Sequence, residues 1–189
     1  MPTFYNDEDA FGRVISKGSK TDLPKLSTKL DSIRVYQWEL EFNPPGALGT
    51  GDTRQTYTIA AKQVSELGFA VNDIVAPRVN DKYYYPGKST PEPMTVTFDN
   101  LLEQKAGPLL YQWMQHTYNP LTGEFGDIND SFKSNIIVHQ LNGQNEPIAS
   151  VTLYGAYPNS FKTAEYNYGE ENFHTINVVF RYDFLSMES

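Results

Sequence analysis

Two loops hold the residue types that most readily bind phosphate or a cation. GALGTGDT, residues 46–53, gathers glycines that would let backbone amides approach a phosphate. It lacks the Lys-Ser/Thr of a phosphate-binding loop and the spacing of a dinucleotide fingerprint, and no strand-then-helix context surrounds it. The simpler reading is a hairpin loop. GDINDS offers oxygen donors at Asp127, Asn129 and Asp130 with partly calcium-like spacing. The sixth loop position is not glycine and the twelfth is not glutamate, so a solvated polar loop is expected.

The remaining chemistry-bearing residues are scattered. His116, His139 and His174 fall on a predicted helix and two predicted strands, without an HExxH pair or any other close ligand spacing. There is no GxSxG elbow to expose a serine nucleophile. Glu170 and Glu171 are adjacent, so on a strand they would point to opposite faces. Tyr83, Tyr84 and Tyr85 could form a platform for a sugar or a base, but at most two of three consecutive strand residues share a face. Packing or an interface is the plainer use for them. The expectation is a chain with no catalytic, cofactor-binding or metal-binding residue, and so not an enzyme.

Composition narrows the partners. With 23 acidic and 15 basic residues the formal net charge is −8, which opposes phosphate-backbone clamping and anionic membrane surfaces. The same sign suits a wall that nucleic acid slides past without sticking. The absence of cysteine excludes disulfides, thiolate zinc sites and iron–sulfur clusters. No run approaches the roughly 20 apolar residues of a membrane helix, and MPTFYNDEDAF resembles no secretory signal, so a cytoplasmically made, soluble chain is expected. The 13 tyrosines and 11 phenylalanines tilt the composition toward sheet.

The elements that would have to position these residues are mostly strands. Residues 1–30 are expected to form an arm, with a helical turn or two in DEDAFGRVISKG, and residues 31–189 the folded domain. DSIRVYQWELEF predicts a strand with Tyr36, Trp38, Leu40 and Phe42 on one face; a loop over 43–54 joins it to QTYTIAAKQ as a long hairpin. SELGFAV and IVAPRV predict two further strands, NDKYYYPGK a turn and an aromatic strand. PEPMTVTFDN predicts a strand with Met94, Val96 and Phe98 inward. Asn100 and Glu103 form a capping box ahead of one helix that carries Leu109, Leu110, Trp113, Met114 and Thr117, with Gly107-Pro108 interrupting or restarting it. After the polar loop NPLTGEFGDINDS, SNIIVHQL and PIASVTLYGAY predict a hairpin turning at Asn142-Gly143. PNSFKTAEYNYGEEN reads as irregular, and FHTINVVFRYDFL as one strand with Ile176, Val178, Phe180, Tyr182 and Phe184 alternating.

This order of elements resembles the tail tube proteins of contractile-tailed (myovirus-type) bacteriophages, whose fold is shared with type VI secretion tube proteins. The resemblance covers roughly residues 31–186. It rests on MTVTFDN followed by a short helix holding Trp113, on SNIIVHQL after the loop, and on SVTLYGAYPNSFKTAEYNYGEENFHTINVVFRYDFL, with Tyr157-Pro158 and Tyr182 to Phe184 at the family's positions. It implies a mainly β subunit, an antiparallel sandwich or barrel with one flanking helix. It further implies hexameric rings stacked into a tube whose lumen passes DNA without specific binding. Sheath, tape-measure and baseplate proteins would be its partners, and a virion tail assembled in the host cytoplasm its location. The alternatives are the tube of a secretion or tailocin-like device, a baseplate protein that starts the tube, and, outside this class, a β-sandwich module binding carbohydrate or a cell surface. A hydrolase is the third class and finds no nucleophile, base and oxyanion set.

Overall fold

A computed structural model describes residues 7–8, 14–15, 33–45, 48, 58–102, 106–126, 132–169 and 171–188. The chain divides into two units, Met1–Tyr36 and Gln37–Ser189. In the first, β1 (Asp7–Glu8) pairs antiparallel with β2 (Val14–Ile15). At these four residues β pairing replaces the expected helical turns; the rest of that segment lies outside the described residues.

The second unit is built around a seven-stranded antiparallel assembly folded into two leaves; apart from it, β8 (Tyr118–Asn119) pairs with β9 (Glu124–Phe125). Its strands are β3 (Trp38–Asn43), β4 (Ala61–Val64), β7 (Met94–Asp99), β10 (Ser134–Leu141), β11 (Pro147–Thr163), β12 (Thr175–Arg181) and β13 (Phe184–Glu188). They run in the order β3-β10-β11-β12-β7-β4, with β13 added against β11. The 17-residue strand β11 serves both leaves. Its first half pairs with β10 and β13, and its second half with β12.

Register explains the core. In one leaf Phe42, Ile136, Leu153 and Leu185 form a cross-strand row, as do Leu40, Val138, Val151 and Met187. In the other, Val64, Val96, Val178 and Phe161 align. Period-2 alternation sends these rows inward, except at Met187, which is exposed on the rim strand. Phe42 spans the gap, with its ring 5.7 Å from Phe98 and 5.6 Å from Phe180. The helix α1 (Ala106–Thr117) packs on β11 and inserts Trp113, fully buried, 5.6 Å from Phe180 and edge-on to Phe42. The Trp113 indole Nε1 donates to the carbonyl of Phe132 at 3.0 Å, so the buried ring carries no unmet donor.

Several expectations are corrected. The first long strand starts at Trp38; Arg34 to Tyr36 are exposed and not in a strand. It forms no hairpin with the segment after residue 54: β3 pairs with β10, and β4 with β7. Residues 55–57 lie outside the described residues, and 58–60 are helical, with the Thr58 hydroxyl donating to the carbonyl of Leu40 at 2.7 Å. This turn carries the chain between leaves. Helix α1 begins at Ala106, six residues beyond Asn100, whose amide meets the His174 ring; the other member of the expected capping box, Glu103, lies outside the described residues. Pro108 sits in the first helical turn, where a missing N–H costs nothing. In the segment expected to be irregular, 158–163 instead continue β11, whereas 164–169 and 171–172 belong to no strand or helix. The last strand is two, broken at Tyr182-Asp183, which leaves Phe184 exposed. The 142–146 turn does close a hairpin, although its left-handed residue is Asn145, with φ 63°, and not Gly143.

The β11 bend has a local cause. Gly155 adopts φ +65°, a conformation favouring glycine, and its missing side chain leaves room for the Asp183 carboxylate. Lys133 Nζ holds that carboxylate at 2.7 and 2.9 Å, and the Asp183 amide donates to the Tyr154 carbonyl. The bend of β11 and the break between β12 and β13 therefore share one junction.

Candidate assembly surfaces

The residues expected to carry chemistry do not converge. His139 lies on β10 with Nε2 3.3 Å from Glu41 Oε2, while His116 ends α1 and His174 precedes β12. Among the described residues no three histidine, acidic or cysteine side chains gather as a metal site would require. Of the glycine loop only Leu48 is described; Asp127, Asn129, Asp130 and Glu170 also lie outside the described residues.

What does stand out is a ribbon. Strands β5 (Phe69–Pro77) and β6 (Lys82–Pro91) pair only with each other among the described strands. The two segments read as SELGFAV and IVAPRV are thus parts of one strand, returning through Arg78 to Asp81. Cross-strand register places Ile74 opposite Tyr85 and Ala76 opposite Tyr83 on one face, and Val75 opposite Tyr84 on the other. Two of the three tyrosines share a platform, as their spacing requires.

Both faces meet solvent. Phe69, Val71, Ile74, Val75, Tyr83, Tyr84 and Tyr85 are between 44% and 65% exposed. A free two-stranded ribbon is marginal in water, and apolar side chains on both of its sides gain from a covering partner. Its base is anchored to the core. The buried Tyr182 hydroxyl donates to the Gly68 carbonyl at 2.8 Å, and the Glu92 amide donates to the same oxygen. Burial raises the Tyr182 pKa, and the nearby Glu92 charge adds to the rise. Sequence patterning missed the ribbon as a unit because alternation signals one buried face, and here neither face is buried within the chain.

The outer faces of the leaves are polar. One row runs Glu39, His139, Ser150, Glu188, with Glu41 beside His139; on the other leaf Gln63, Thr97, Asn177 and Lys162 align. Thr97 donates to Asn177 across the strands at 2.7 Å. Strand β13, at the rim of its leaf, leaves Phe184 and Met187 exposed.

No protein-family model matches this sequence, and no curated protein matches it. Solved structures do. The sheath/tube terminator of an extracellular contractile injection system (PVC) superposes with a TM-score of 0.64 at 15% identity, over 84% of this chain and 98% of that one. The tube-terminating cap of the anti-feeding prophage gives 0.64 at 13%, over 84% and 92%. A chain of the PVC sheath-tube complex gives 0.63 at 16%, again over 84% and 92%. With its two leaves, the core helix α1 and mostly antiparallel strands, the chain shares the fold of these tube and terminator chains of contractile injection systems.

Proposed function

We propose that this chain is a structural subunit of a contractile injection machine, one that closes into hexameric rings and stacks them into a hollow tube. The observation that carries the reading is the β5–β6 ribbon, firmly based on the core yet apolar on both faces, on a tube-type fold. Function then resides in assembly geometry, and no residue is assigned a catalytic role. In this reading residues 1–30 are an arm and 31–189 the tube domain. Sheath, tape-measure and baseplate proteins are its partners, and a phage-type tail assembled in the host cytoplasm is its setting.

DNA is the cargo in that setting. The leaf face with Glu39, Glu41 and Glu188 supplies an acidic wall that DNA would pass without binding. A second reading has its own support: two of the similar structures are described as a terminator and a terminating cap, so this chain could end a tube instead of extending it. Negative-stain electron microscopy of the purified chain, over a range of concentration and salt, separates the readings. Six-fold rings and long stacked tubes support the tube subunit. Rings that never stack support the terminator. Monomers under every condition, seeded or not, refute both and turn the test to sugar binding at the tyrosines.

A further inference from the structure

Two surface features of the second unit are complementary. One projects, namely the ribbon. The other is recessed, a groove of about 350 Å3 between the first turns of α1 and residues 161–176, lined by Pro108, Tyr111, Phe161, Tyr166 and His174. Gly107 lets the helix start close on the sheet, since a Cβ there would stand 2.7 Å from Ile176 Cδ1. A second cleft of about 500 Å3, reaching Glu165 and Phe173, adjoins it. Tyr166 and His174, stacked with ring centroids 4.6 Å apart, line both. Tyr166 and Phe173 are 79% and 88% exposed, so aromatic surface rims the recess.

The charges oppose one another. Residues 164–174 contain Glu165, Glu171 and, outside the described residues, Glu170, and no lysine or arginine; Lys62 also lines the second cleft, paired with Asp99 at 3.2 Å. The ribbon sequence 69–91 has Arg78, Lys82 and Lys88 against Asp73 and Asp81, a net of +1 within a chain of −8. Arg78 lies over the Tyr83 ring at 5.0 Å, which places a cation and an aromatic face together near the tip.

We propose that the groove between α1 and residues 164–174 receives the β5–β6 ribbon of a second copy of this chain. The proposal rests on the assembly reading above and names the surface within it. Apolar aromatic contact supplies attraction, and opposite rim charges set orientation. The occupant is a copy and not nucleic acid, because Glu165 lines the recess and Lys62, which lines it too, is engaged by Asp99 at 3.2 Å, so no unpaired cation is offered there to a phosphate. Two different patches meeting on successive copies make a heterologous contact, the kind that closes rings or propagates stacks.

Because the chain has no cysteine, introduced thiols report contacts without background. The test uses the full chain carrying Tyr83→Cys and Tyr166→Cys together, oxidised under conditions where particles form. A reducible ladder extending beyond the dimer is expected, with each single variant stopping at dimer. In parallel, Arg78→Glu with Lys82→Glu should raise the concentration needed for assembly about tenfold, as should Glu165→Lys with Glu171→Lys. Combining all four should return it to within about threefold of the parent, and this arm decides the matter if the cysteine pair does not fold. Particles that form with neither ladder nor charge rescue overturn the inference and leave the tube reading standing. Failure of the parent chain to assemble at all removes the tube reading, and the inference with it.

Discussion

Gly155 is the residue on which the two-leaf architecture turns most sharply. An alanine there would have to adopt φ +65° and would also run into the Asp183 carboxylate that Lys133 holds. Strain and steric conflict together should cost about 2 to 4 kcal/mol, read as a lower denaturant midpoint at unchanged slope. A midpoint within error of the parent would show that the junction relaxes freely. Tyr182 acts at the ribbon base. Tyr182→Phe removes the bond to the Gly68 carbonyl and should cost about 1 kcal/mol, while the Glu92 amide still satisfies that oxygen. Its pH dependence has a definite sign. The Tyr182 pKa lies above the ordinary 10.0, so the fold favours the neutral phenol. That contribution is complete below pH 10 and is lost as pH rises through the raised value. The parent should therefore lose stability above pH 10 more steeply than Tyr182→Phe, in denaturation series at matched pH.

At the scale of elements, legibility followed burial. β7 and β12 could be read because Met94, Val96, Phe98 and Ile176, Val178, Phe180 each bury one face against the opposite leaf. Helix α1 was readable through Leu110 and Trp113 for the same reason. The course of β11 past Pro158 was not, because it depends on Gly155 and Asp183, which are 28 positions apart in sequence and meet only in the fold. The pairing of β3 was misread because sequence proximity favoured a hairpin, whereas Leu40 and Phe42 align with Val138 and Ile136. For the chemistry candidates the sequence offered no template in the spacing of the histidines or serines, and the fold keeps His116 on α1, His139 on β10 and His174 just ahead of β12. The ribbon escaped because neither of its faces is buried against the rest of the described chain, and alternation signals a buried face. This separates folding from assembly. Val75→Thr with Tyr84→Thr, both on one face, removes little intramolecular burial. The melting temperature should move little, as for surface changes worth about 0.5 kcal/mol, while the concentration needed for assembly rises at least about tenfold. Circular dichroism and sedimentation velocity read the two quantities separately. A variant that assembles as the parent does would mean that this face stays wet in the particle.

At the scale of the whole molecule, the proposed assembly would bring together chains of formal charge −8. Repulsion between such subunits acts over the Debye length, about 30 Å at 0.01 M salt and about 8 Å at 0.15 M. Contacts made inside an aromatic groove are screened far less, because water and ions are displaced from them. The two electrostatic effects therefore oppose each other but respond to salt over different ranges. From 0.01 to 0.15 M, loss of long-range repulsion should dominate and lower the concentration at which particles form. Above about 0.5 M the apolar contact should sustain assembly, with the rim charges contributing little further. Static light scattering across that series gives the assembly threshold directly. A threshold that rises steadily from the lowest salt would instead mean that attraction between opposite charges, and not apolar contact, holds the particle. In that case neutralising Arg78 and Lys82 should weaken it more than thinning the ribbon with Val75→Thr and Tyr84→Thr.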